Sequence, residues 1–280
     1  MAAQAVNGLV GLVGGHPFVY MAEVTNFGAY PAVLVVLVGG LGGCARLEST
    51  DALVSPVVAQ GLYLGMDLPD GIDFEGTDIL AYSAACSVFL AYVSDPAELA
   101  DSPVAGADVS FRSEANGRLD LTESGDGEYI VTAAEGLVYE QGDVSSVALD
   151  VSGESASIVV KPPQAPDFDF PAAVTKGEAF TVDLTGQGYD SILAAVYDVG
   201  RSKVTWTNLP EGVEEIYTYT HPVEPLETLE IPGDAFPGHG SYVVGVAGMR
   251  LADPEDFVNV NTTLSAFMAG ELSLYVTIIQ

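Results

Sequence analysis

Gly125-Asp126-Gly127-Glu128-Tyr129-Ile130-Val131 and Gly238-His239-Gly240-Ser241-Tyr242-Val243-Val244 repeat one phrase, G-x-G-x-Y-x-V. The two tyrosines stand 113 residues apart. In each copy the glycines permit a sharp turn and the tyrosine opens a strand. The apolar residue two places on then points to the core side of that strand. A tyrosine hydroxyl in this position can fold back onto the corner the chain has just turned. Turn plus strand, repeated at the length of a small domain, predicts two β-modules of one kind.

The flanking sequence has the same texture. Phe180-Thr181-Val182-Asp183-Leu184-Thr185 and Leu272-Ser273-Leu274-Tyr275-Val276-Thr277 alternate apolar and polar residues, as half-buried strands do. Val147-Ala148-Leu149-Asp150-Val151 and Val204-Thr205-Trp206-Thr207 follow suit. Asn116-Gly117, Gly125-Asp126-Gly127 and Pro232-Gly233-Asp234 supply turn chemistry between such runs. No long amphipathic helical pattern is present, so the expected class is all-β. At 280 residues and 49% hydrophobic content the chain is large enough for two cores.

Pro103-Val104-Ala105-Gly106-Ala107-Asp108-Val109-Ser110-Phe111 precedes a polar hairpin and then the first G-x-Y strand. Over roughly residues 100–160 this order resembles the immunoglobulin-like and carboxypeptidase-regulatory-like domains of bacterial surface proteins. The repeated phrase resembles their cysteine-free form, with Val131 and Val244 where antibody domains carry the second cysteine. The resemblance implies two immunoglobulin-like β-sandwich modules, with Tyr129 and Tyr242 as tyrosine corners. Lys161-Pro162-Pro163-Gln164-Ala165-Pro166 reads as a stiff linker, because proline cannot serve a central strand. The expected organisation is a leader at 1–43, a tether at 44–52, module one at 53–161, a Pro-rich linker at 162–167 and module two at 168–280.

The leader has its own signature. From Val24 to Gly43 no side chain is charged, and the stretch ends in Leu41-Gly42-Gly43-Cys44. A short apolar segment closing on small residues reads as a secretory signal. Leu41, Gly42, Gly43 and Cys44 together resemble the lipobox of bacterial lipoproteins, although no Lys or Arg precedes Arg46. The resemblance implies that Cys44 becomes the first residue of the mature protein and carries a lipid. Ala45 and Arg46 do not resemble the acidic signal for inner-membrane retention. The implied address is the outer membrane or cell surface, reached through a lipid anchor in the membrane.

Charge narrows the partners. The chain has 39 Asp+Glu against 8 Lys+Arg, a net charge of −31. Nucleic-acid binding needs clustered cations to release counterions, so this balance excludes it. Three readings of the acid excess stay open: a well-solvated surface, a saline habitat, or binding of divalent cations. Asp67, Asp70, Asp73 and Asp78 line an acidic loop rich in hard oxygen ligands for Ca²⁺, without the spacing of an EF-hand. Asp253-Pro254-Glu255-Asp256-Phe257-Val258-Asn259 is a second such loop. No cofactor is otherwise expected.

Catalytic signatures are absent from the sequence pattern. His16, His221 and His239 have no second His or Cys at metal-ligand spacing, and Ser241 does not sit in a nucleophile elbow. Cys86 lies in an apolar run and reads as a small buried hydrophobe. Trp206, Tyr217, Tyr219 and Tyr242 are either core or a stacking platform for glycans. The expected function is therefore a non-catalytic cell-envelope lipoprotein, a surface scaffold or interaction module for other envelope proteins. A glycan- or calcium-binding β-sandwich module is the alternative.

Overall fold

The computed structural model describes residues 20–23, 33–36, 57–67, 84–92, 102–125, 127–201, 203–208 and 225–280. Among the described residues the chain is all-β, with short 3-10 turns and no α-helix. The strands of its first part are β1 (Tyr20–Glu23), β2 (Val33–Val36), β3 (Val57–Asp67), β4 (Ala84–Tyr92), β5 (Asp108–Ser113), β6 (Gly117–Asp120), β7 (Thr122–Gly125), β8 (Glu128–Thr132), β9 (Ser145–Val151) and β10 (Glu154–Val160). After the Pro-rich segment come β11 (Ala173–Val174), β12 (Phe180–Asp183), β13 (Ser191–Asp198), β14 (Lys203–Thr207), β15 (Thr228–Ile231), β16 (Gly240–Leu251), β17 (Phe257–Val258) and β18 (Ala266–Ile279). Among the described strands, β1 and β2 pair with each other as a two-stranded sheet.

One sheet runs through both halves. Its order is β14-β13-β16-β18-β3-β4-β8-β7, with β11 added to β18. Strand β18 pairs antiparallel with the whole of β16 from Met268 to Ile279, and its first half pairs parallel with β3. Parallel strands need a long crossover, and here almost the entire chain between Asp67 and Ala266 provides it. A five-stranded sheet, β17-β10-β9-β5-β6, covers the β3-β4-β8 end. The β12–β15 pair stands separately beside the second core.

Two cores result, on the same side of the large sheet. The first gathers Tyr63, Cys86, Phe111, Tyr129, Val147 and Ile158. The second gathers Ile192, Val196, Ile231, Phe236, Tyr242 and Val244. Alternation along β18 serves both in turn. Phe267 and Ala269 lie in the first core, Glu271 follows, and Tyr275 and Ile279 pack in the second.

Three further ties cross between the halves. Phe257 and Val258 of β17 extend the five-stranded sheet through β10. The Asn261 amide donates to the Val57 carbonyl at 2.7 Å, and the Ala59 amide to Ser265 Oγ at 3.1 Å. The Pro-rich segment, read from sequence as a stiff linker, is bound along its length. Pro162 and Pro163 are buried. The Pro162 carbonyl accepts from the Gly142 amide at 2.8 Å. Proline removes donors but leaves carbonyls, and those carbonyls are what the neighbouring residues hold.

Gly61 of β3 faces Phe267 of β18 across the parallel ladder, and a Cβ on Gly61 would overlap the phenylalanine ring. The missing side chain lets the ring lie on the sheet. Phe267→Ala is expected to cost about 3–5 kcal/mol. Trp206, the only tryptophan, packs against the second core. Its emission is therefore expected to shift to a lower urea midpoint in Phe267→Ala. An unchanged Trp206 transition would mean that the two cores unfold independently.

Candidate functional site

Among the described residues, a polar arrangement lies at the seam between the cores. Glu271 of β18 stands in one rung with Gly65 of β3 on one side and Gly248 of β16 on the other. A Cβ on Gly65 would overlap the Tyr139 ring, and one on Gly248 would overlap the Tyr189 ring. The two tyrosines thus lie against bare backbone on either side of the carboxylate. Gln141 Nε2 donates to Glu271 Oε2 at 2.6 Å.

The phenol hydroxyls point to the Pro-rich segment. Tyr139 donates to the Pro163 carbonyl at 2.9 Å, and Tyr189 to the Gln164 carbonyl at 2.9 Å. The Tyr63 ring lies tilted against Phe111 and Tyr139, with centroids 4.7 Å and 4.9 Å away, and its hydroxyl donates to the Val138 carbonyl at 2.8 Å. Asn116 completes that corner by donating to Val138 O and accepting from Val138 N. Arg250, two residues beyond Gly248, reaches the Gly188 carbonyl at 2.8 Å.

Burial pushes the Tyr63 and Tyr139 phenols well above the usual tyrosine range, and the Glu271 charge adds to the effect on Tyr139. Burial, followed by Glu271, pushes Tyr189 up to about 12. These phenols therefore act as neutral donors to carbonyls at ordinary pH. The rung has the means to fix one half of the chain against the other, with a carboxylate held by an amide in the middle.

Tyr129 and Tyr242 make different bonds. The Tyr242 hydroxyl both donates to Gly238 O and accepts from Gly238 N, each at 3.0 Å, four residues upstream. Tyr129 instead donates to Val104 O and accepts from the Ala107 amide, each at 2.9 Å. It staples the Pro103–Phe111 stretch onto the sheet, more than twenty residues back, and so departs from the short-range corner expected of it. Tyr129 and Tyr242 are both almost fully buried.

The other sequence candidates are placed as follows. Leu41, Gly42, Gly43 and Cys44 lie outside the described residues, as do Asp70, Asp73, Asp78, His221, Tyr217 and Tyr219. Asp67 ends β3, with its backbone opposite Ser273. In the second acidic loop, Asp253 Oδ1 accepts from the Glu255 amide and caps a 3-10 turn, while Asn259 Nδ2 donates to Ser155 O. Among the described residues no three His, Cys, Asp or Glu side chains converge as metal ligands. His239 and Ser241 are exposed, and Trp206 is half-buried against the second core. Cys86 is fully buried, which drives its thiol pKa up and keeps it protonated.

Nothing in the local spacing singles out Tyr139, Gln141, Tyr189 or the glycine pair. One signal for Glu271 does exist. It is the only charged residue in the fourteen of β18, and a lone charge in an apolar strand calls for a partner.

An unfolded tyrosine loses its proton near pH 10, whereas Tyr189 keeps its proton until about 12. Its contribution to stability is complete below the unfolded value. It is lost as pH rises through the folded one, because the unfolded chain releases protons first. Urea stability is therefore expected to fall between about pH 10 and 12, more gently in Tyr189→Phe than in the native chain. An equally steep fall in the variant would remove Tyr189 as a source. No protein-family model matches the chain, and no curated protein matches it closely enough to stand as a relative.

Proposed function

We propose that the chain is a non-catalytic lipoprotein of the cell envelope, held at the outer membrane or cell surface by a lipid on Cys44. Its two immunoglobulin-like sandwich modules, at 53–161 and 168–280, act as a scaffold for other envelope proteins. The observation that carries this reading is Leu41-Gly42-Gly43-Cys44 at the end of twenty residues without a charge. An apolar stretch, two small residues and a cysteine are what export followed by acylation requires.

Two further features support the reading. A scaffold that holds a partner at a set distance needs a fixed angle between its modules. The shared strand β18 and the hydroxyl bonds from Tyr139 and Tyr189 would supply that stiffness. A net charge of −31 also keeps the protein body off anionic headgroups, leaving the lipid as the contact with the membrane.

The test is intact mass with membrane fractionation, on protein expressed in a lipoprotein-processing host. The expected product is membrane-bound, begins at Cys44 and carries a diacylglyceryl adduct, which Cys44→Ala lacks. A native chain that keeps its first residues and carries no adduct overturns the proposal.

A further inference from the structure

The five-stranded sheet turns one face to the first core and the other to solvent. Val109, Phe111, Leu119, Val147 and Ile158 are its inward set, so period-two alternation sends Arg112, Arg118 and Ser146 outward. Register places these three side by side. Arg112 of β5 stands directly opposite Arg118 of β6 on one side and Ser146 of β9 on the other. The next outward rung carries Asp120, Ser110 and Ala148. Both arginines are exposed, as are Asp120 and Ala148, so the rungs are open to solvent.

Two arginines across one rung are an unfavourable arrangement in this chain. Side chains directly opposite in an antiparallel pair lie about 5 Å apart, where opposite charges attract and like charges repel. Acids outnumber cations 39 to 8, so composition favours a carboxylate opposite Arg112. The chain instead sets one of its eight cations against another. Asp120 relieves part of the repulsion by holding Arg118 Nε at 2.9 Å. Arg112 pairs with no acid among the described residues. The two rungs together thus carry two positive charges and one negative. Glu114 and Asp143 lie beyond the strand end, where Asp143 Oδ2 accepts from the turn amides of Glu114 and Ala115. Asp108 and Asp150 stand about 13 Å from Arg112 along the strands, beyond the roughly 8 Å over which charges interact in physiological salt.

We propose that Arg112 and Arg118 bind the carboxylate of an acidic sugar, a uronic acid within a glycan. A planar guanidinium matches a carboxylate through two parallel N–H donors, and one ligand carboxylate cancels the excess charge of the two rungs. The ground beside the pair suits a sugar. Ser146 is half-buried next to Arg112 and offers its hydroxyl to a sugar hydroxyl. Ala148 and Ser157, paired on the neighbouring rung, are too short to obstruct a flat ring. A uronic acid carries hydroxyls and carboxylate on one ring, so it engages both arginines and Ser146 together. The site uses none of the aromatic residues weighed for glycan stacking, and it is independent of a lipid on Cys44.

The test is isothermal titration calorimetry on the full chain in physiological salt, with trigalacturonate and triglucuronate as probes. At least one is expected to bind, and its methyl ester is not. Arg112→Gln is expected to weaken binding by about tenfold or more. Arg112→Lys keeps the charge but loses the fork, and is expected to fall between the two. No heat with either probe, equal binding of the ester, or an Arg112→Gln chain as tight as the native one would each overturn the proposal. A glutamate tripeptide bound as tightly as the sugar overturns it too, by assigning the rung to acidic peptides. Stability gives a separate readout. Removing one of two like charges is expected to leave the urea midpoint of Arg112→Gln level or higher. A lower midpoint would assign Arg112 to the fold and overturn its role in binding.

Discussion

Strand β18 is the constraint on which the rest of the structure depends. Its inward residues fill the first core as far as Ala269 and the second from Tyr275 onward. Of the two polar inward residues between them, Glu271 and Ser273, Glu271 falls in the rung where β3 and β16 both present glycine. Without those glycines the rings of Tyr139 and Tyr189 would have no room on the sheet. With them, two aromatic side chains roof the seam and their hydroxyls clasp the segment that connects the halves.

The chain makes this joint with few cations. Eight Lys and Arg cannot pair 39 acids, and exposed ion pairs contribute little in any case. The joint relies instead on tyrosine hydroxyls bonded to backbone carbonyls, a neutral pairing that salt screens weakly. Pro162 and Pro163 suit such a joint because they offer acceptors without donors of their own. The same preference recurs at Tyr63, Tyr129 and Tyr242, each buried as a ring with its hydroxyl on main chain. A buried tyrosine needs such a partner, and main chain is always within reach.

Local sequence determined the class of the chain and many of its strands. Period-two alternation placed Phe180–Asp183, Val147–Val151 and Val204–Thr207 in strands, and Asn116-Gly117 forms the β5–β6 turn, with Gly117 at φ 63°. These features depend on a few neighbouring residues, and their cause is local sterics and one-sided burial. Strand partners were not legible, because a strand's period fixes its faces and leaves its neighbours open. Only the tertiary structure decided that β18 lies parallel to β3, some two hundred residues away, and that Tyr129 bonds Val104 while its sequence twin Tyr242 bonds Gly238. Both outcomes follow from packing between distant segments, where a hydroxyl takes whichever carbonyl the assembled core brings within reach.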